Sequence, residues 1–160
     1  MDIKLLTLNI IFGSIVIYTY FKYLGGALQK GITSNQLWAD IRGNYRNLYY
    51  LSMLFSTISY LYLLYYLVNN QKGNKIVYTG TLIFFIGASL WAPFLYNYFV
   101  NKLNKVFIYL SLCLTTVGII LLSIYLMNKG NFLSKICISI FLFHILILDN
   151  LIWSIKFQKI

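Results

Sequence analysis

Lysines and arginines divide this chain into five long stretches free of basic residues: 5–21, 47–71, 76–101, 106–128 and 136–155. Asp149 is the only acid inside them. Each stretch is close to or above the roughly 20 apolar residues that carry a helix across about 30 Å of hydrocarbon. A soluble domain of 160 residues could not tolerate 60% hydrophobic and 10% charged residues with a mean hydropathy of +0.75, because whole helices of Leu, Ile and Phe would face water. The runs are continuously apolar, whereas strands of a membrane barrel alternate apolar and polar residues in segments of about ten. The sequence therefore predicts an all-α, polytopic integral membrane protein. Its one membrane domain, 1–160, is a five-helix transmembrane bundle with spans near 4–24, 47–69, 76–100, 106–127 and 134–155.

A formal charge of +10 raises nucleic acid as a partner, since basic domains track phosphate backbones. The cations are instead dealt out in ones and twos to every loop, as in Lys102 with Lys105 and Lys156 with Lys159. That is the pattern of anchors to lipid headgroups, and the lipid bilayer is the partner it implies, with no nucleic acid. With five spans, Lys4, Lys72, Lys75, Lys129 and Lys135 fall on one side. Lys22, Lys30, Arg42, Arg46, Lys102, Lys105, Lys156 and Lys159 fall on the other. The richer side is expected to be cytoplasmic, which puts the N-terminus outside and the C-terminus inside. The first 21 residues could pass for a secretory signal, but bulky Tyr18, Tyr20, Phe21 and Tyr23 occupy the place of a small-residue cleavage site, so they read as a retained first span.

Only the first loop is long enough to carry structure. From Ser34 the sequence SNQLWADIRGNYRNLYY offers an N-cap and then Leu37, Trp38, Ile41 and Tyr45 at helical spacing. It predicts a short interfacial helix near 34–44, anchored at the membrane surface by Trp38, Arg42 and Arg46. Gly25, Gly26 and Gly31 are expected to make the turns before it. The other connections are short, so consecutive spans should pack as antiparallel neighbours. Small residues recur on single faces: Ser52, Ser56 and Ser59; Gly80 and Gly87; Ser111, Thr115 and Gly118. Such stripes let helix backbones approach closely in lipid and are read as packing seams.

Three features bear on function. Pro93, the only proline, lies inside the third span beside Trp91. It should deprive the Ser89 carbonyl of its helical partner, bend the helix and mark a place to look for a pocket. In the fifth span, FHILILDNLIW holds the only histidine, His144, and the only intramembrane carboxylate, Asp149. A carboxylate in hydrocarbon is costly and tends to have a partner or a task. Five residues apart on an α-helix, the two point about 140° away from each other, so they are not expected to form a dyad unaided. Cys113 and Cys137 sit in spans without metal or redox spacing and read as apolar fillers. Cys137 lies about 10 Å along the axis from His144, too far for a Cys-His nucleophile.

No HExxH, second intramembrane Asp, glycine-flanked Ser with a base, phosphate loop or channel filter is present in the sequence, and the chain is read as non-enzymatic, without cofactor or metal. The segments LWADIRGNYRNLYYLSMLFSTISYLYLLYYL, GASLWAPFLY and FHILILDNLIWS resemble uncharacterised five-span membrane proteins of large AT-rich DNA viruses. That likeness covers most of the chain and implies no activity. The LDNLIW close, the aromatic interior and five spans in this length are also similar to the TspO/MBR family of translocator proteins, which bind porphyrins and sterol-like ligands. The family's Trp-x-Pro-Pro region before the second span and its proline-tyrosine start to the fifth have no counterpart, so none of its binding residues is carried over. The leading expectation is a structural or interaction protein, a subunit of a larger complex in a viral or organellar membrane. The alternatives are a carrier or receptor for a small apolar ligand near Trp91, Pro93, His144 and Asp149, or a proton or ion path through His144 and Asp149.

Overall fold

Five helices long and apolar enough to cross a membrane, and no strand, make up the described residues. The computed structural model describes residues 1–70 and 73–159; Gln71, Ile160 and the loop cation Lys72 lie outside the described residues. The spans are α1 (Ile3–Gln29), α3 (Gly43–Asn70), α4 (Lys75–Asn101), α5 (Val106–Lys129) and α6 (Phe132–Phe157). A single helical turn, α2 (Ser34–Leu37), lies between α1 and α3. The spans run 24 to 28 residues, each long enough at 1.5 Å per residue to cross the hydrocarbon with some tilt.

Side-chain contacts give the order around the bundle. Phe12 stacks on Phe85 and Tyr23 meets Tyr96 edge to face, so α1 runs parallel to α4. Gly80 and Gly87 of α4 sit against Gly118 and Thr115 of α5, an antiparallel seam built from the small-residue stripes. Asn150 of α6 donates to Thr116 of α5 at 2.7 Å. On its other flank α6 meets α3, where Tyr62 lies 3.4 Å from the Asn131 Oδ1. The ring closes where Tyr60 of α3 donates to Asn9 of α1. Around the bundle the order is α1, α4, α5, α6, α3.

Sequence neighbours α3 and α4 are thus separated by α1, contrary to the expectation that every consecutive pair would pack side by side. The reason sits at the first residues of the chain. The end of α3 and the start of α4 both meet the N-terminus of α1, where Asp2 grips them. The Asp2 carboxylate accepts the Gly73 N–H at 2.9 Å, the Tyr78 hydroxyl at 2.6 Å and, as N-cap of α1, the Leu5 N–H at 3.1 Å. Its own N–H donates to the Val68 carbonyl at 2.6 Å. These bonds satisfy amides that the helix start and the loop would otherwise leave open.

Two buried clusters fill the bundle. One, around Leu5, Leu67, Val77, Leu126 and Ile138, packs the end where Asp2 sits; the other, around Ala27, Leu37, Ile41, Leu95 and Trp153, packs the end under the first loop. Outward, Ile10, Phe21, Leu54, Ile58, Ile124, Phe143 and Leu151 are exposed. In lipid such a surface costs nothing, because the tails are as apolar as the side chains. Cys137 is buried among apolar groups and Cys113 is exposed on α5.

The first loop departs from the expected interfacial helix over 34–44. Helix α2 is one turn, capped by Thr33 and Gln36 in a reciprocal capping box, where Ser34 was the expected cap. It stops because Ala39 and Asp40 both take the left-handed conformation, with φ of 51° and 57°, which no helix can continue. That reversal drops Ala39 and Ile41 into the core beside Leu37. Gly25 and Gly26, expected as turns, continue the helix instead; Gly31, at φ 83°, does turn. Arg46 is a clasp more than a headgroup anchor. Its Nε donates to the Ile41 carbonyl at 2.8 Å, its guanidinium to Asn35 Oδ1 at 2.9 Å, and its plane lies 5.9 Å from the Trp38 ring. Trp38 is half-buried against Tyr49 and Tyr50, and exposed Arg42 pairs with Asp40.

If Arg46 holds the loop shut, Arg46→Ala should loosen it locally. Losing about 1–2 kcal/mol of charge-assisted hydrogen bonding raises the open population roughly tenfold. Tryptic cleavage after Arg42, followed by mass spectrometry in detergent micelles, should accelerate to match, with the melting temperature falling by roughly 2–8 °C.

Candidate functional site

Between the two packed ends the bundle holds a partly open cavity of about 420 Å³. It lies towards the first-loop end, and all five spans reach it: Val16 and Tyr20 from α1, Met53 from α3, Phe85, Ala88 and Trp91 from α4, Thr115 from α5, and His144, Asp149 and Trp153 from α6. Leu37 and Trp38 line it from the loop. The floor is aromatic. Phe84 and Phe85 pack at 5.4 Å, Tyr20 lies 5.6 Å from Trp91, and Trp91 stands 5.6 Å from Trp153.

Two walls of this cavity abandon α-helical geometry. Tyr20–Leu24 of α1 and His144–Trp153 of α6 are π-helical, a form that bonds i to i+5 and collects at functional sites. A π-helix stacks each residue over the one five before it. That changes the relation between His144 and Asp149, which an α-helix would have turned apart: the His144 Nε2 and an Asp149 carboxylate oxygen lie 3.6 Å from each other. The expectation that they could not meet on their own helix is overturned by the local backbone.

Tertiary hydrogen bonds hold the π segment open. Tyr49 of α3 donates to the Leu148 carbonyl. Asn150 Nδ2 reaches Thr116 on α5, and the Trp153 indole N–H donates to the Leu37 carbonyl at 3.2 Å. His144 is buried, with Tyr49 edge-on at 6.4 Å and the Ser52 hydroxyl sharing a hydrogen bond with Nδ1 at 3.0 Å. The widened helix is thus tied to α3, to α5 and to the loop, and each tie offsets part of the cost of its looser backbone.

Of the four residues singled out from sequence, Trp91, His144 and Asp149 line the cavity and Pro93 does not. Pro93 lies within α4, whose helical assignment runs through it unbroken, and its carbonyl accepts the Asn97 side chain at 2.8 Å. Tyr20, Phe85, Ala88 and Trp153 were not seen as site residues; nothing local in the sequence marks them, because they meet only when the ring of helices closes. Ser52 was read first as part of a packing seam, with a ligand groove or polar path along the same face as the alternative.

Ser52, His144 and Asp149 stand in line, a hydroxyl, an imidazole and a carboxylate in the sequence a hydrolase would use. Ser52 sits in mid-helix, where the surrounding backbone N–H groups are spent on i→i−4 bonds. The amides of α3 beside Ser52 are therefore not free to steady an oxyanion, the largest contribution such a mechanism needs. No group of three or more metal-ligating side chains is found among the described residues. Comparison with protein families, curated proteins and solved structures found no match to this chain.

Proposed function

We propose that this protein is a non-catalytic receptor or carrier for a small, largely apolar ligand held inside the membrane. The cavity carries this reading. At about 420 Å³ it falls in the range of small-molecule sites, roughly 300–1,000 Å³. Its lining is aromatic and aliphatic with a few convergent polar groups, as such sites require. A purely structural subunit, the leading expectation from sequence, needs a dry and filled interior, and the aromatic hollow weighs against it. The loop wall formed by Leu37 and Trp38 favours a guest that enters and is retained.

The test is a titration of the protein in phosphatidylcholine nanodiscs with 9-ethylanthracene, read by energy transfer from tryptophan and referenced to empty discs. Saturation near one probe per chain is expected, since Trp38, Trp91 and Trp153 all line the cavity. Filling the space should remove it. Ala88→Phe, or Val16→Phe from α1, is expected to weaken binding at least tenfold, about 1.4 kcal/mol, while far-ultraviolet circular dichroism stays helical. Transfer no greater than in empty discs would sink the reading.

A further inference from the structure

We propose that the ligand is a lipophilic amine, bound as its ammonium ion, with Asp149 as its counter-charge and the aromatic walls around its apolar body. This rests on the cavity being a binding site and names the chemistry of its guest.

The argument starts from what Asp149 lacks. Its side chain is about a third open, at 35%, and it lines the cavity. Among the described residues no lysine or arginine pairs with it. Its one counter-group is His144 Nε2 at 3.6 Å, beyond hydrogen-bond range, and the other nitrogen of that ring is already engaged by Ser52. A carboxylate among apolar side chains in a membrane is costly until a cation or several donors meet it. The nearest basic residue along α1, Lys22, holds its ammonium over the rings of Tyr18 and Tyr23 at 5.4 and 5.3 Å. In a chain of net charge +10, the one acid within the spans is thus left to face the ligand space.

Tyr20 and the aromatic faces of the wall suit the same guest, while the Trp91 indole N–H, buried without a partner among the described residues, is left to meet an acceptor on its body. Tyr20 lines the same cavity, and its hydroxyl oxygen can accept from an N–H donor. Its ring and those of Trp91 and Trp153 stand in one connected group, and ring faces attract ammonium ions more strongly once water is excluded. A carboxylate with aromatic faces beside it selects a cation with an apolar body. It repels a fatty acid or any other anion of equal size.

Three probes of one shape separate the possibilities: 9-(aminomethyl)anthracene, an ammonium ion at pH 7; 9-ethylanthracene, its neutral isostere; and 9-anthracenecarboxylate. Phosphatidylcholine discs carry no net charge, so empty discs correct for partitioning. The wild-type protein is expected to bind the amine about tenfold or more tightly than the neutral probe, the scale of a hydrogen-bonded charge pair. The carboxylate should bind weakest. Asp149→Asn should erase the preference for the amine over 9-ethylanthracene; Asp149→Glu should restore part of it. The charge order in the wild-type protein decides the matter even if Asp149→Asn fails to fold. Equal affinity for amine and neutral probe overturns this inference and leaves the apolar-ligand reading standing. Tighter binding of the carboxylate overturns it as well. Binding of none of the three overturns both.

Discussion

Gly118→Val is expected to drive α4 and α5 apart and cost the bundle its fold long before wild type melts. A Cβ on Gly118 would lie 2.6 Å from the Phe84 Cα and 2.7 Å from the Gly80 carbonyl oxygen. Those are backbone atoms, which cannot rotate away as a side chain would. Gly87 is in the same position against the Ser111 carbonyl, 2.6 Å away. Because lipid tails solvate apolar side chains as well as other helices do, close backbone approach is what holds two spans together. Opening the seam by one side chain therefore forfeits contacts along its whole length. The penalty should reach about 3 kcal/mol or more, the upper end for overpacking, or roughly 6–12 °C in melting temperature.

Gly25→Ala is the control. Gly25 is helical, and a Cβ there would meet nothing within 4 Å, so the substitution should be neutral or stabilising by about 0.5–1 kcal/mol. Thermal melts of both variants in dodecyl maltoside, followed by tryptophan fluorescence, separate the cases. Similar losses at both positions would mean that the seam is nothing special.

That seam was legible from spacing alone, since glycine and hydroxyl stripes at helical intervals have one common use in a membrane. The five spans were legible for the same reason: hydrophobicity is a property of each residue where it stands. Asp149 and His144 stood out because ionisable groups in hydrocarbon are rare. Their meeting did not, because the π-helix that joins them depends on Tyr49, Asn150 and Trp153 finding partners on other elements. No local propensity encodes that. One faint signal was on the page: five is the wrong spacing for an α-helical pair and the right one for a π-helical one. The first loop misled for a related reason. Leu37, Trp38, Ile41 and Tyr45 repeat at helical intervals, yet two left-handed residues at Ala39 and Asp40 turn Leu37 and Ile41 into the core and leave Tyr45 exposed on α3.

Asp2 was passed over although an acid just before an apolar run reads as a helix cap, and its loss should rank with that of the glycines. Asp2→Ala strands the Gly73 N–H, the Tyr78 hydroxyl and the Leu5 N–H at once. At about 1 kcal/mol each, roughly 3 kcal/mol is at stake. Among the described residues, the loss falls on a point that ties the start of α1 to Gly73 and to Tyr78 of α4. Acid should undo the same tie in the wild-type protein. The Tyr78 hydroxyl, and after it the Gly73 amide, hold the Asp2 carboxyl down to about 2 from its ordinary 3.8. A carboxyl lowered in the folded state stabilises fully above its unfolded value. That contribution is lost as pH falls through the folded one. Between pH 4 and about 2 the wild-type melting temperature should therefore drop towards that of Asp2→Asn, whose own curve lacks this component. Subtracting the two curves removes every ionisation the two proteins share. If the difference stays flat across that window, the Asp2 clasp does not carry the load assigned to it, and the order of helices around the bundle must be held by packing alone.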